Sequence, residues 1–207
     1  MNKYIVTTLL LLLLLVTAYF AFYFYSMRNV KEPKYSVSEK SGSIEIRVYQ
    51  PMIIAEVSLS GNADETITRG FRLLADYIFG NNITMTSPIT QQKSTKIAMT
   101  APVMQQQSDK QQWKIRFVMP EEYTIESLPK PNNNQVKIRQ VPPKKMVVIQ
   151  FSGTRSNELI DKNLLVLDEF IKANQLQVIG EPLFAFYNPP WTLPIMKRNE
   201  IMYELVE

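Results

Sequence analysis

Few side chains in this 207-residue chain could carry reaction chemistry, and their types exclude most of it. There is no His and no Cys. That removes Ser–His and Cys–His nucleophile pairs, zinc-finger ligation and thiol redox chemistry. The six glycines form no phosphate-cradling run. Carboxylates pair as Glu121-Glu122 and Asp168-Glu169. Neighbours in sequence point apart on a strand or a helix, so these pairs face solvent and do not converge on a substrate. The chain is expected to be no enzyme, with no catalytic residue and no metal site. What remains is soft, apolar and aromatic, which suits binding.

The densest such stretch is Ile83 to Met104, and it states one pattern twice. Ile83, Met85, Thr86, Pro88 and Ile89 recur fourteen residues on (97 − 83) as Ile97, Met99, Thr100, Pro102 and Val103. Alternation of Ile and Met with small or hydroxyl residues predicts two strands with one apolar face, each bent at its proline. The bends and the methionines suggest the rim of a pocket. A second aromatic group lies near the C-terminus, where Phe184, Phe186, Tyr187 and Trp191 surround the prolyl loop Asn188 to Pro194. Trp191 stands outside any periodic stripe and reads as a lid or rim.

The chain divides by composition. Tyr4 to Tyr25 is uncharged over 22 residues, long enough to cross a hydrocarbon core as a helix. A cleaved signal peptide is the competing reading. The apolar run exceeds a usual signal core and ends in aromatics without a clean small-x-small site, which favours a retained single-pass anchor over residues 1–30. Lys3 before the helix and Arg28, Lys31 and Lys34 after it favour a cytoplasmic domain by charge, whereas the short N-terminus favours translocation to the periplasm. Residues 31–42 are polar and read as a tether. Residues 43–207 are enough for one domain with a core of its own. Lys and Arg are scattered and the net charge is only +4, so no nucleic-acid footprint is expected.

Within that domain Ser43–Gln50 and Met52–Ser60 alternate as strands. Ala63–Phe79 spaces Ile67, Phe71, Leu74 and Ile78 as one helical face, with Asn62 or Asp64 as N-cap and Gly80 as stop. Trp113–Met119 is a further strand, and Glu121–Asn134 a loop. The pattern then restarts. Ile138-Arg139, Pro143, Ser152 and Gly153 copy Ile46-Arg47, Pro51, Ser60 and Gly61 at an offset of 92 (138 − 46). A second amphipathic helix follows at Asn157–Asn174, then strands at Pro182–Tyr187 and Glu200–Glu207. These elements predict an α+β fold: a distorted antiparallel β-barrel from two pseudo-twofold β-β-α-β-β repeats with two packed helices.

The strings YIFGNN, the doubled I-x-M-T-x-P, WKIRFVMP with EEYTIESLPKPNN, and YNPPWTLPIMKRNE together resemble the SOUL haem-binding family, over Ser43 to Glu207. The resemblance implies a barrel-like sheet with two helices. It also implies non-covalent binding of haem or another porphyrin in a shallow apolar groove beside the first helix of the domain. A tetrapyrrole placed there would touch Phe71, Leu74, Ile78, Met99 and Trp191, with Arg69, Arg72 or Arg198 near its propionates. Histidine ligation of iron is impossible in this chain. The function so implied is a membrane-tethered tetrapyrrole carrier, buffer or sensor. The alternative is an apolar-ligand or partner-binding module that keeps the fold without haem.

Overall fold

A computed structural model of the chain describes residues 3–80, 96–109 and 111–206. They fall into two units, Met1–Val30 and Lys31–Glu207. The first is a single helix, α1 (Lys3–Met27). Its stretch Tyr4–Met27 is long and apolar enough to span a membrane, a test that a signal sequence also passes. Hydroxyls in it are turned back onto the helix, Thr8 Oγ1 donating to Tyr4 O at 2.8 Å, Thr17 Oγ1 to Leu14 O at 2.9 Å and Ser26 Oγ to Tyr23 O at 2.9 Å. That local bonding lets polar side chains sit in an apolar surround.

The second unit is α+β, a curled antiparallel half-barrel. Its strands are β1 (Tyr35–Ser41), β2 (Ile44–Tyr49), β3 (Met52–Ser60), β4 (Val103–Asp109), β5 (Gln112–Val118), β6 (Lys137–Val141), β7 (Lys144–Phe151), β8 (Val178–Phe186) and β9 (Asn199–Leu205). They lie in the order β1-β2-β7-β9-β8-β4-β5-β3-β6. Two helices pack on it, α2 (Ala63–Phe79) against β3 and β5, and α3 (Asn157–Ala173) against β7 and β9. All nine strands and both apolar cores belong to this unit, so it holds what it needs to fold without the first.

Helix ends follow local chemistry. Asn62 accepts the Asp64 amide at 3.1 Å and caps α2, so Asp64 is the capped residue and Asn62 the cap. Gly80 closes the helix at φ 72°, a left-handed conformation that costs glycine little. Ser156 caps α3 through the Leu159 amide at 3.2 Å.

The period-2 alternation decides the faces. Ala55, Val57 and Leu59 of β3 with Ile115 and Phe117 of β5 pack beneath Leu74 and Ile78 of α2. On the other side Val147 and Ile149 of β7 with Ile201 and Leu205 of β9 pack beneath Leu167 and Ile171 of α3. With β1 set aside, exchanging β2, β3, β4 and β5 for β6, β7, β8 and β9 turns the strand order into its own reverse. This is a likeness of connectivity. The sequence duplication read above stays an expectation, and superposing Ile46–Phe79 on Ile138–Ile171 tests it.

Two expectations need correction. Residues 31–42 are not simply a tether, because Tyr35–Ser41 forms β1 and pairs with β2. Its polar sequence is what an exposed edge strand carries, and Tyr35 fastens it by packing its ring, tilted by 50°, against Tyr49 at 5.1 Å between ring centroids. The second Met-Thr copy is not a strand bent at Pro102. Residues 96–102 pair only through an isolated bridge between Lys31 and Thr100, and β4 begins after the proline, at Val103. A proline opens a strand as readily as it closes one, since the missing N–H is harmless at either end. The first copy, with Ile83, Met85, Thr86, Pro88 and Ile89, lies outside the described residues.

Candidate functional site

Three places on the domain gather side chains of the right kind. The first is the outer side of α2. Leu74 and Ile78 are 0% and 1% exposed and belong to the core under the helix. Phe71 lies at the edge of that apolar stripe, 36% exposed, with its ring edge-on to Phe117 at 5.3 Å. Arg69 and Arg72 are exposed, and neither has a carboxylate partner among the described residues. At about 100° per residue, Arg72 stands about 100° round the helix from Phe71, and Arg69 about 160°. Arg72 is therefore the better placed to serve a ligand lying on Phe71. The segment after residue 95 runs past the end of the same helix, Ile97 N donating to Ile78 O at 2.9 Å. It carries Met99, which is exposed.

The second place is the loop from Asn188 to Lys197. It is braced by its own amides: Thr192 N donates to Pro189 O at 3.1 Å and Met196 N to Leu193 O at 2.9 Å. Gly153 N ties it to the end of β7 through Pro194 O at 3.0 Å. Trp191 projects from this brace, 58% exposed. Arg198 follows it and is held at several points. Its backbone N donates to Asn188 Oδ1 at 2.6 Å, and its guanidinium donates to Glu200 at 2.9 Å and Glu32 at 2.8 Å. It also stacks over Tyr187, 3.8 Å from the ring centroid.

Beneath Arg198 lies a sealed polar knot. Glu200 is fully buried and accepts from Arg47 at 3.0 Å, from Arg198, and from the Tyr187 hydroxyl at 2.7 Å. Arg47 also donates to Glu45 at 2.7 Å and to the Tyr49 hydroxyl at 3.2 Å. Burial works against the Arg47 charge, yet Glu200, Tyr49 and Glu45 outweigh it and hold the guanidinium above its ordinary pKa. Burial first, and then the Glu200 charge, pushes the Tyr49 phenol up to about 12 and Tyr187 well above its usual value. A carboxylate sealed from solvent between two guanidiniums and a phenol leaves no approach for a substrate, so this knot organises structure. It also explains the R-N-E string. Arg198 and Glu200 join the knot, while Asn199 Nδ2 donates to Gly153 O at 3.0 Å.

The third place is the sheet face away from the helices. A cleft of about 440 Å³ opens there, floored by Ile54, Met104, Met146, Leu183 and Met202, with Tyr49 and Tyr187 at one side. Its volume falls in the range of small-molecule sites, roughly 300–1,000 Å³. Glu56 binds Arg116 at 2.6 Å and Arg139 at 3.3 Å in its wall. A second cavity, about 520 Å³, lies between Lys31–Lys34 and Pro120–Glu126. The ion pairs Lys31–Glu122, at 2.7 Å, and Lys34–Glu121 stand at its rim.

Neither cavity is lined by Arg69, Phe71, Arg72, Leu74, Ile78, Met99, Trp191 or Arg198. The structure brings Arg69, Phe71, Arg72 and the Met99 segment to one helix, and puts Leu74 and Ile78 beneath it. Trp191 and Arg198 belong to the prolyl loop. Sequence reasoning missed the cleft. Many of its residues are the off-core positions of strands already recognised, where alternation marks them, but Gln106 lies on β4 beyond the stretch read as strand. What alternation leaves out is which strands lie side by side. Among the described residues no group of three His, Cys, Asp or Glu side chains is placed to hold a metal ion.

The comparisons with known proteins bear on both fold and family. The C-terminal domain of EcmrR superposes with a TM-score of 0.60 at 9% identity, covering 84% of this chain and 98% of that one. A hydrolase from Listeria innocua superposes with 0.55 at 13% identity, covering 82% and 94%. At such identities the likeness is one of fold alone. No curated protein sequence matches the chain. The family model described as SOUL heme-binding protein matches residues 30–204, nearly the whole of the second unit. On that match, the chain belongs to the SOUL haem-binding protein family.

Proposed function

We propose that this protein binds haem or a related tetrapyrrole without covalent attachment or histidine ligation, as a carrier, buffer or sensor tethered to a membrane by α1. Membership of the SOUL family is the observation that carries the reading. The outer side of α2 supplies its chemistry. Phe71 offers an exposed ring backed by Phe117, and Arg72, with Arg69 beyond it, offers unpaired positive charge for propionates. Met99 and Trp191 are exposed apolar side chains that would widen the contact, and Leu74 and Ile78 would support Phe71 from below. Arg198 is held by Glu200 and Glu32, so its part is to position the loop that bears Trp191. The bound group would supply its own redox and optical properties. The chain supplies apolar burial and charge, with neither imidazole nor thiolate for iron.

Titration of residues 31–207 with ferric haem and with metal-free porphyrin, followed by absorbance, tests this. Similar affinities are expected, because no strong iron ligand contributes. Binding of haem alone would overturn the apolar-contact reading, and binding of neither would favour the module that keeps the fold without haem. Trp191→Ala should weaken porphyrin binding by roughly 1–3 kcal/mol, the scale for one large apolar contact. Charge reversal at Arg69 and Arg72 together should weaken it less, and less again at high salt. Full affinity in both variants would remove the α2 side as the site.

A further inference from the structure

The cleft on the helix-free face has a polarity that the tetrapyrrole reading does not use. One ladder row crosses it. Met202 of β9 stands opposite Leu183 of β8, Leu183 opposite Gln106 of β4, and Gln106 opposite Lys114 of β5. All four line the cleft. The row is therefore apolar at one end and cationic at the other, over about 14 Å at roughly 4.8 Å per strand. Met104, opposite Arg116, and Met146, opposite Glu204, lie on either side of the row, and unbranched thioethers adapt to a flexible chain better than to one rigid shape.

The charges are unequal as well. Lys114, Arg116, Arg139 and Lys144 line the cleft against Glu56, Glu181 and Glu204. Glu56 takes both arginines and Glu204 takes Lys144. Lys114 has no carboxylate partner among the described residues, and it is the cation at the end of the row.

We infer that this cleft is a binding site for an unbranched apolar chain ending in a carboxylate, with the carboxylate at Lys114 and the hydrocarbon over Leu183 and Met202. The site stands independently of the tetrapyrrole reading, because it uses the opposite face of the sheet and none of the α2 residues. The Arg116–Glu56 pair beside Lys114 keeps the cationic wall rigid while leaving the lysine to the ligand.

The test uses residues 31–207 labelled with ¹³C at the methionine methyls and titrated with dodecanoate. The methyls of Met104, Met146 and Met202 should shift together and saturate, while that of Met99 stays in place. Dodecyltrimethylammonium, the same chain with a cationic head, should bind at least about tenfold more weakly. Lys114→Glu should cost dodecanoate about fivefold in affinity and improve the cation, the scale of a half-exposed charge contact. Unmoved cleft methyls, or equal binding of the two head groups by the unaltered protein, would overturn the inference. So would a Lys114→Glu protein with an unchanged methyl spectrum and an unchanged preference for dodecanoate. A failed porphyrin titration alongside cleft methyls that respond to dodecanoate would defeat the tetrapyrrole reading alone.

Discussion

Each side of the sheet holds a carboxylate between two arginines, and the two clusters differ mainly in how far water reaches them. On the β7–β9 side Glu200 lies between Arg47 and Arg198, with Glu200 and Arg47 at most 1% exposed. On the β3–β5 side Glu56, itself buried at 7% exposed, lies between Arg116 and Arg139, and it is the Arg139 side chain, 62% exposed, that opens the cluster to water. The first cluster is sealed by Tyr49 and Tyr187 and ties β2, β8 and β9 together. The second forms a wall of the cleft. The same ion-pair chemistry thus closes the interior where it is dry and lines an open cleft where water reaches it, and a lost partner is punished most where water cannot replace it.

The ladders sharpen the contrast. Val57–Ile115 and Ile149–Ile201 occupy the same place in the two sides, and all four face a helix and are buried. One residue along, Glu56 faces Arg116 on one side, while Val148 faces Met202 on the other. Positions under a helix are apolar on both sides of the sheet. Positions on the helix-free face are at liberty to differ, and their difference makes the cleft polar at one end and apolar at the other.

The largest expected effect breaks the sealed cluster. Arg47→Met leaves Glu200 buried with one guanidinium fewer and should cost about 3–5 kcal/mol in urea unfolding. Arg139→Met should cost less than about 1 kcal/mol. Equal losses would mean that the two clusters are energetically alike and that burial does not separate them.

A smaller effect concerns the helices. A Cβ on Gly70 would meet Ile115 Cδ1 at 2.7 Å and Cγ1 at 2.9 Å, so α2 rides close on β5. Counting from the matched core pairs Leu74 with Leu167 and Ile78 with Ile171, an offset of 93 (167 − 74), the corresponding residue of α3 is Asn163. Gly70→Val should destabilise by about 1–3 kcal/mol through overpacking. Asn163→Ala gives up only the amide contact to Leu159 O, 2.7 Å, and should change stability by about 0.5 kcal/mol or less. A harmless Gly70→Val would show that the two helices sit equally far from the sheet.

The smallest effect is alkaline. Burial raises Tyr49, in the sealed cluster, and Tyr77, on the inner face of α2, to about 12. Below pH 10 these phenols are neutral in both folded and unfolded chains. Between about 10 and 12 the unfolded chain releases their protons while the folded chain keeps them, so stability falls as pH rises. Tyr49→Phe should flatten that decline, and Tyr77→Phe should do so too, at the cost of its 2.8 Å bond to Pro129 O. Stability that is level from pH 9.5 to 11.5 in the unaltered protein would contradict the direction.

Much of this could be read from the residues because it depends on near neighbours. The alternation of Met52–Ser60, the apolar spacing of Ala63–Phe79 and the stop at Gly80 are local patterns, and β3 and α2 have those bounds in the structure. The polar run after the apolar helix misled for a local reason as well, since an edge strand and a linker have the same composition. The lack of His and Cys settled the excluded chemistry outright. Arg47 and Glu200, by contrast, are 153 residues apart. Nothing in either string marks them as partners, and the polar position of an alternating strand reads as solvent-facing until a second layer covers it. The row from Met202 to Lys114 arises only because β8 lies beside β4, across the join between the two sides. Periodicity assigns each side chain to a face, since that depends on the backbone's own geometry. Which strand supplies the neighbour across the ladder depends on where a distant part of the chain packs, and only the folded sheet decides that.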